Sequence, residues 1–209
     1  MHPVLFHIGH SAVYSYTVLL ALGLICGLGL ACVECKRLLG SPWLAVDAVL
    51  FALVAAVIGG RLGYVAQNHL YFTENPGEAF LLWRGGSAFW GAFPVGMVAL
   101  AAYAWHRGRG RSLAPTFWSL ADATAPGLAL GQAFGWLGCL AHGCVYGRTG
   151  EGFLYRYLPD IYGVSASRFA TQAVGAVLSL IIFTIVWLWR KRWPFHSVGF
   201  LVCVILSFG

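Results

Sequence analysis

The chain has 209 residues, 59% of them hydrophobic and only 10% charged, with a mean hydropathy of +0.75. A soluble domain carries about a quarter charged residues, so thirteen basic and seven acidic side chains cannot cover a water-facing surface of this size, and an integral membrane protein is the class that remains. A net charge of +6 would suit nucleic acid in a soluble protein; here the basic residues flank apolar runs, which points to topology and to no nucleic-acid partner.

The N-terminal "MHPVLFHIGH" has no Lys or Arg before the first apolar run and no small-residue cleavage pattern after it, so that run is expected to stay in the mature protein. The apolar runs are continuous for about 20 residues rather than alternating, which predicts helices and not a barrel. Spans are expected at roughly 12–33, 43–67, 87–105, 115–140 and 166–189, with a sixth from near Ser197 to Gly209. That last segment rises about 20 Å, short of a hydrocarbon core of about 30 Å; it is expected to continue past Gly209 or to end inside the bundle. The predicted fold is all-α, a polytopic transmembrane bundle of six to seven helices forming one domain over residues 1–209.

Lys36 and Arg37, then Arg107, Arg109 and Arg111, then Arg190, Lys191 and Arg192 fall in alternate loops, so all share one side. The positive-inside rule makes that side cytoplasmic and puts the N-terminus outside. The other five basic residues are Arg61, Arg84, Arg148, Arg156 and Arg168, all in the outer half or outer loops. Any one of them reads as a snorkelling anchor. Together, five planar guanidinium forks suit a phosphate, and an anionic lipid headgroup is the expected ligand. Arg61, in "IGGRLGY", lies deepest, and an ionisable group within a span is a functional candidate.

Ala123, Gly127, Gly131 and Gly135 recur every fourth position, which predicts a smooth stripe against a neighbouring helix. Pro94 and Pro126 fall inside spans and are expected to kink them. The double glycines at 59–60 and 85–86 suggest close backbone approach. Asp122, in "LADATAPG", needs a partner; Arg61 is one option and a clamp within the bundle another. Tyr16 suits an interfacial aromatic belt or a hydroxyl contact to substrate.

"GWLGCLAHGCVYGR", residues 135–148, follows the fourth apolar run. Cys139 and His142 are three apart on one helical face, and Gly143 is expected to end the helix and fold Cys144 back. Three readings stay open for this stretch. Cys139, His142 and Cys144 supply three soft ligands, one short of a structural zinc site. Cys139 and Cys144 can bridge as a disulfide or a redox pair. Or the glycines form a turn that offers backbone N–H groups to a substrate, with Arg148 alongside. "RGGSAFWGAFPVG" at 84–96 and "VSASRFATQ" at 164–172 open spans three and five. In the second, Arg168 and Gln172 are four apart and are expected on one helical face.

These blocks, in this order, resemble bacterial prolipoprotein diacylglyceryl transferases. The likeness runs from "MHPVLFHIG" and "YSYTVLLALG" through "GGRLGYV" at 59–65, "GGSAFWG" at 85–91 and "DATAPGLALGQAFGWLGCLAHGCVYGR" at 122–148 to "SRFATQ" at 167–172. It implies a seven-helix bundle in the bacterial inner membrane. It implies transfer of a diacylglyceryl group from phosphatidylglycerol to the cysteine thiol of a lipoprotein signal peptide, with release of glycerol phosphate. No metal and no cofactor are implied. The chain departs from the family where histidine is usual and Trp90 stands, and where Gly-Arg-x-Gly-Asn is usual and Gly135-Trp136-Leu137-Gly138-Cys139 stands.

The expected catalytic residues are His142, as a replacement base, with Arg61 and Arg148 on the leaving phosphate. Substrate contacts are expected from Tyr16, Gly85, Gly86, Gly138, Cys139, Gly143, Cys144, Gly147, Arg168 and Gln172. Two other functions fit the residues: a thiol-redox or metal-handling membrane protein using Cys139, His142 and Cys144, and a non-catalytic relative that binds anionic lipid.

Overall fold

A computed structural model describes residues 4–8, 11–82, 85–108, 113–145, 147–159 and 164–190. The expected sixth segment from Ser197, and Arg84, Arg109, Arg111, Lys191 and Arg192, lie outside the described residues.

The chain opens with a short hairpin, β1 (Val4–Ile8) against β2 (Ser11–Tyr14). Helices follow: α1 (Ser15–Leu39), α2 (Trp43–Gln67), the short α3 (His69–Glu74), a 3-10 turn (Pro76–Phe80), α4 (Phe89–Arg107) and α5 (Leu113–His142). A second hairpin, β3 (Tyr155–Pro159) with β4 (Ser165–Phe169), leads into α6 (Thr171–Trp189). The fold is that of an all-α membrane protein, with α1, α2 and α6 long and apolar enough to cross a bilayer. α4 and α5 stand where the third and fourth spans are expected, with Pro94 and Pro126 inside them.

The fifth span corrects one expectation. α6 starts at Thr171 rather than at 166, because residues 165–169 pair with β3 instead of coiling. Arg168 therefore sits on a strand, and the proposed common helical face with Gln172 does not exist. Ser165–Phe169 satisfy their backbone groups across the ladder with β3.

Residues 1–34 with 121–209 form one compact unit, and 35–120 a second. In the first unit the small-residue stripe of α5 meets α1. A Cβ on Gly27 would stand 2.7 Å from the Gly127 carbonyl oxygen, and one on Gly23 would stand 2.7 Å from the Phe134 Cβ. Such approach of two backbones is the dispersion-driven packing that lipid-embedded helices use. The stripe ends before Gly135, where an added Cβ meets nothing. Gly127→Leu is expected to force α1 and α5 apart at a cost of about 1–3 kcal/mol, read as a lower melting temperature in detergent; Gly135→Leu is the matched control. At the other end of these helices, buried Glu34 of α1 accepts an ion pair from Arg190 Nε at 2.9 Å, and the guanidinium lies over the Trp187 ring at 3.3 Å. Breaking a buried pair on one side leaves an uncompensated charge, so this contact fixes α1 against the end of α6.

In the second unit the "GGRLG" block does the same work between α2 and α4. An added Cβ on Gly59 would stand 2.6 Å from the Gly91 carbonyl oxygen, and one on Gly63 2.9 Å from the Gly91 Cα. The close backbone approach expected of the 59–60 pair is present.

Candidate functional site

The last turn of α5 carries the chemistry of the first unit. Cys139 accepts the N–H bonds of both Gly143 (2.8 Å) and Cys144 (3.1 Å) at its carbonyl, which terminates the helix. Gly143 has φ +85°, a left-handed conformation that favours glycine at a helix end. The reversal brings Cys144 back beside Cys139, with Cα atoms 4.8 Å apart, and the two sulfurs are bonded as a disulfide. That selects among the three readings of the stretch. A thiolate-bound metal would compete with that bridge for the same two sulfurs.

The turn is anchored further on. Buried Gln172, near the start of α6, donates from Nε2 to the Cys144 carbonyl at 2.7 Å. Gly147 lies against β4 and α6, where a Cβ would stand 2.8 Å from the Thr171 hydroxyl. The Phe169 N–H donates to the Arg148 carbonyl at 3.0 Å, and Gly150 N–H to the Ser167 carbonyl at 3.1 Å. The Ser167 hydroxyl returns a bond to Gly150 at 2.7 Å. Cys139, Gly143, Cys144, Gly147, Arg148, Arg168 and Gln172 are thus knitted into one backbone assembly. Arg148 is exposed and Arg168 half-buried within it.

His142 closes α5 and is exposed. Its ring meets the edge of Tyr14 at 5.8 Å between centroids and lies tilted to Tyr16 at 6.3 Å. Gly138 makes room for this: a Cβ there would stand 3.0 Å from the Tyr16 ring. Tyr14 is a contact that sequence reading missed, although its place two residues before Tyr16 in "YSY" offered a signal.

Serine at both 139 and 144 is expected to lower stability by about 2 kcal/mol, the loop-closure value for so short a ring. Thermal unfolding with and without reducing agent checks it: the reductant should move the native protein and leave the double variant unmoved.

Arg61, Gly85 and Gly86 belong to the second unit. Arg61 is buried, and its guanidinium is spent largely on the backbone. Nε donates to Ala79 carbonyl at 2.9 Å, Nη1 to Gly85 at 2.5 Å and Gly86 at 3.1 Å, and Nη2 to Glu78 at 2.6 Å. Its charge also lies 5.6 Å from the Tyr64 ring centroid and 5.5 Å from that of Phe72. Gly85 (φ +79°) and Gly86 (φ +85°) are both left-handed, and a Cβ on Gly86 would stand 2.5 Å from the Tyr64 ring. The expectation that Arg61 faces a phosphate meets a different geometry: four carbonyls hold its fork, and it shapes the Gly85–Gly86 turn.

The two positions where the sequence departs from its resemblance are also placed. Trp136 lays its indole on α6, where a Cβ at Gly175 would stand 2.5 Å from the ring. Trp90, 78% exposed, meets only the edge of Phe89 among the ring contacts described, at 5.7 Å.

The family described as prolipoprotein diacylglyceryl transferase matches residues 3–208. A protein of Thermus thermophilus named phosphatidylglycerol–prolipoprotein diacylglyceryl transferase is 35% identical, over 92% of this chain and 75% of its own length. A relative of that name from Bacillus velezensis is 35% identical over 65% of this chain and 48% of its own length. One from Corynebacterium diphtheriae is 31% identical over 87% and 65%. With nearly every residue matched, the chain belongs to the prolipoprotein diacylglyceryl transferase family, a family of membrane transferases.

Proposed function

We propose that this protein moves the diacylglyceryl group of phosphatidylglycerol onto the cysteine thiol of a lipoprotein signal peptide, as a multi-pass enzyme of the bacterial inner membrane with its N-terminus outside. The family match over residues 3–208 carries the reading. The reaction is a displacement at the glycerol carbon that bears the phosphate. The peptide thiol loses its proton to a base, its sulfur forms the new C–S bond, the C–O bond to phosphate breaks, and glycerol phosphate leaves. Two things are required of the protein: a base near the thiol and cationic or N–H donors on the leaving phosphate.

His142 is the base in this reading, on the strength of its exposed place at the end of α5 beside Tyr14 and Tyr16. Arg148 and Arg168 serve the phosphate, on the strength of the backbone bonds that hold their segments together. The disulfide acts here as a staple on the turn that carries Arg148, and substrate meets the glycines of that turn. Arg61 acts as a positioning residue, through the Gly85–Gly86 turn of its own unit.

One observation favours a second reading. The indole of Trp136 and the exposed Trp90 stand where the resemblance expects arginine and histidine, which suits a relative that binds anionic lipid without turning it over. Purified protein is given a lipobox peptide in vesicles of phosphatidylglycerol or of phosphatidylcholine. The enzyme reading expects a peptide mass gain of one diacylglyceryl group with the first lipid only. Co-purified anionic lipid with no mass gain overturns it in favour of the second.

A further inference from the structure

Within the second unit, α2 and α4 leave an open groove of about 550 Å³ where α2 begins and α4 ends. Asp47, Leu50, Phe51 and Val54 line it from α2, at a spacing that keeps them on one helical face. Tyr103 and Arg107 line it from α4. Leu50, Phe51 and Val54 are exposed along the wall, and the Phe51 and Tyr103 rings meet across it at 6.5 Å between centroids.

The wall is apolar and the rim is charged. Arg107 Nε donates to the Tyr103 hydroxyl at 3.3 Å, and that hydroxyl donates to Asp47 Oδ2 at 3.3 Å. Arg107 Nη2 stands 3.7 Å from the same carboxylate oxygen, longer than a hydrogen bond, with 51% and 53% of the two side chains exposed. A pair held so loosely at a surface is worth little by itself. What remains is a separated plus and minus, spanned by one tyrosine, above an apolar wall.

The wall runs inward from this rim, because Asp47 to Val54 is about 10 Å of helix rise. The α4 end that carries Arg107 is followed in sequence by Arg109 and Arg111, the side that the positive-inside rule makes cytoplasmic. The groove therefore opens on the inner leaflet. Arg61 stands further along α2, about 21 Å of rise beyond Asp47, so the Gly85–Gly86 turn is a separate place.

The charges select the headgroup. A basic patch alone takes any anionic lipid; here the carboxylate beside the guanidinium repels a second negative group. A headgroup with both signs satisfies both arms. Its phosphate oxygens take the guanidinium fork, and a primary ammonium donates to Asp47. A trimethylated ammonium has no N–H to give. We propose that this groove binds an inner-leaflet zwitterionic phospholipid bearing a primary amine, of the phosphatidylethanolamine type. One acyl chain lies along Leu50, Phe51 and Val54, and the lipid ties the start of α2 to the end of α4. The site is independent of the transferase reading.

The test uses the whole protein in neutral detergent, titrated with dioctanoyl phosphatidylethanolamine, phosphatidylcholine and phosphatidylglycerol, with bound lipid counted by native mass spectrometry. Val54→Trp fills the groove from an exposed position and is the blank for lipid bound elsewhere. The native groove is expected to bind the ethanolamine lipid about tenfold tighter than the choline lipid, the worth of one charge-assisted hydrogen bond. Asp47→Asn should erase that difference and raise the relative affinity for phosphatidylglycerol, while Asp47→Glu should keep the preference. Arg107→Gln should weaken both zwitterionic lipids about tenfold. Saturating ethanolamine lipid should raise the melting temperature by about 3 °C or more in the native protein and not in Val54→Trp. Melting without lipid checks that each variant is folded. Equal binding of the two zwitterionic lipids in the native groove overturns the proposal, as does a preference that survives Asp47→Asn. Phosphatidylglycerol displacing the ethanolamine lipid shows a basic patch only and also overturns it. Lipid counts unaltered in Val54→Trp mean ordinary contact with surrounding lipid, and the site is then absent.

Discussion

Arg61→Ala is expected to unmake the segment between α3 and α4 and to destabilise the protein by about 3 kcal/mol or more. Four backbone carbonyls, those of Glu78, Ala79, Gly85 and Gly86, accept from this one side chain, that of Glu78 also accepting the Leu81 N–H. A hydrogen bond to a charged group is worth about 1.5–3 kcal/mol, and an acceptor left buried without a partner costs about 1–3 kcal/mol. The sum is bounded because the segment is partly exposed, and freed carbonyls there can reach water. Even so, four bonds from a buried fork put this among the larger single-residue effects. Lysine should rescue only part, because a point charge with three donors cannot span carbonyls on two sides of a turn. Two measurements check it: thermal unfolding in detergent, and limited proteolysis of the 75–88 segment. Wild-type melting with no new cleavage would show that the loop holds itself. The Glu78 carboxylate, which accepts from the Tyr71 hydroxyl at 2.6 Å, and the Ala88 N–H, which donates to the Gly60 carbonyl at 2.9 Å, are among the supports that would remain.

Much of the architecture was legible from apolar run length, because a membrane-spanning backbone has few ways to satisfy its own polar groups. The second span, expected at 43–67, is observed as Trp43–Gln67. The stripe at 123, 127 and 131 announced a close helix contact, since only small residues at that spacing let two backbones approach. The β3–β4 hairpin was not legible. Its strands are five residues each and lie beside a long apolar run, so "VSASRF" merges with the helix that follows. Arg168 was misplaced onto α6 for that reason. The role of Arg61 was hidden differently: sequence marks a buried cation but not its acceptors, and here they come from backbone 17 to 25 positions away. The pairing of Cys139 with Cys144 stood as one option of three until the turn at Gly143 put their Cα atoms 4.8 Å apart.

His142→Ala is expected to lower kcat/KM for the lipobox peptide by about 100-fold or more near neutral pH, the lower end of what a positioned general base contributes. A cysteine thiol with an ordinary pKa of about 8.5 is only a few per cent ionised at pH 7, so a nearby ring that accepts its proton raises the reactive fraction in the transition state. The edge contact from Tyr14 at 5.8 Å and the tilted contact from Tyr16 at 6.3 Å set the ring's orientation at the end of α5. The pH dependence separates a base from a packing role. Above pH 8.5 the thiol ionises unaided, so a variant lacking the base should approach the native rate as pH rises toward 9.5. A defect that stays constant across that range would mean the ring only shapes the turn. Phosphatidylglycerol affinity should be unchanged in His142→Ala, since the headgroup is assigned to the arginines beyond the disulfide. Tyr14→Leu, which removes the edge contact and leaves the ring itself, should lower kcat modestly with the native pH profile. Full activity in His142→Ala at pH 7 would move the base elsewhere, with the Tyr16 hydroxyl the next group to test.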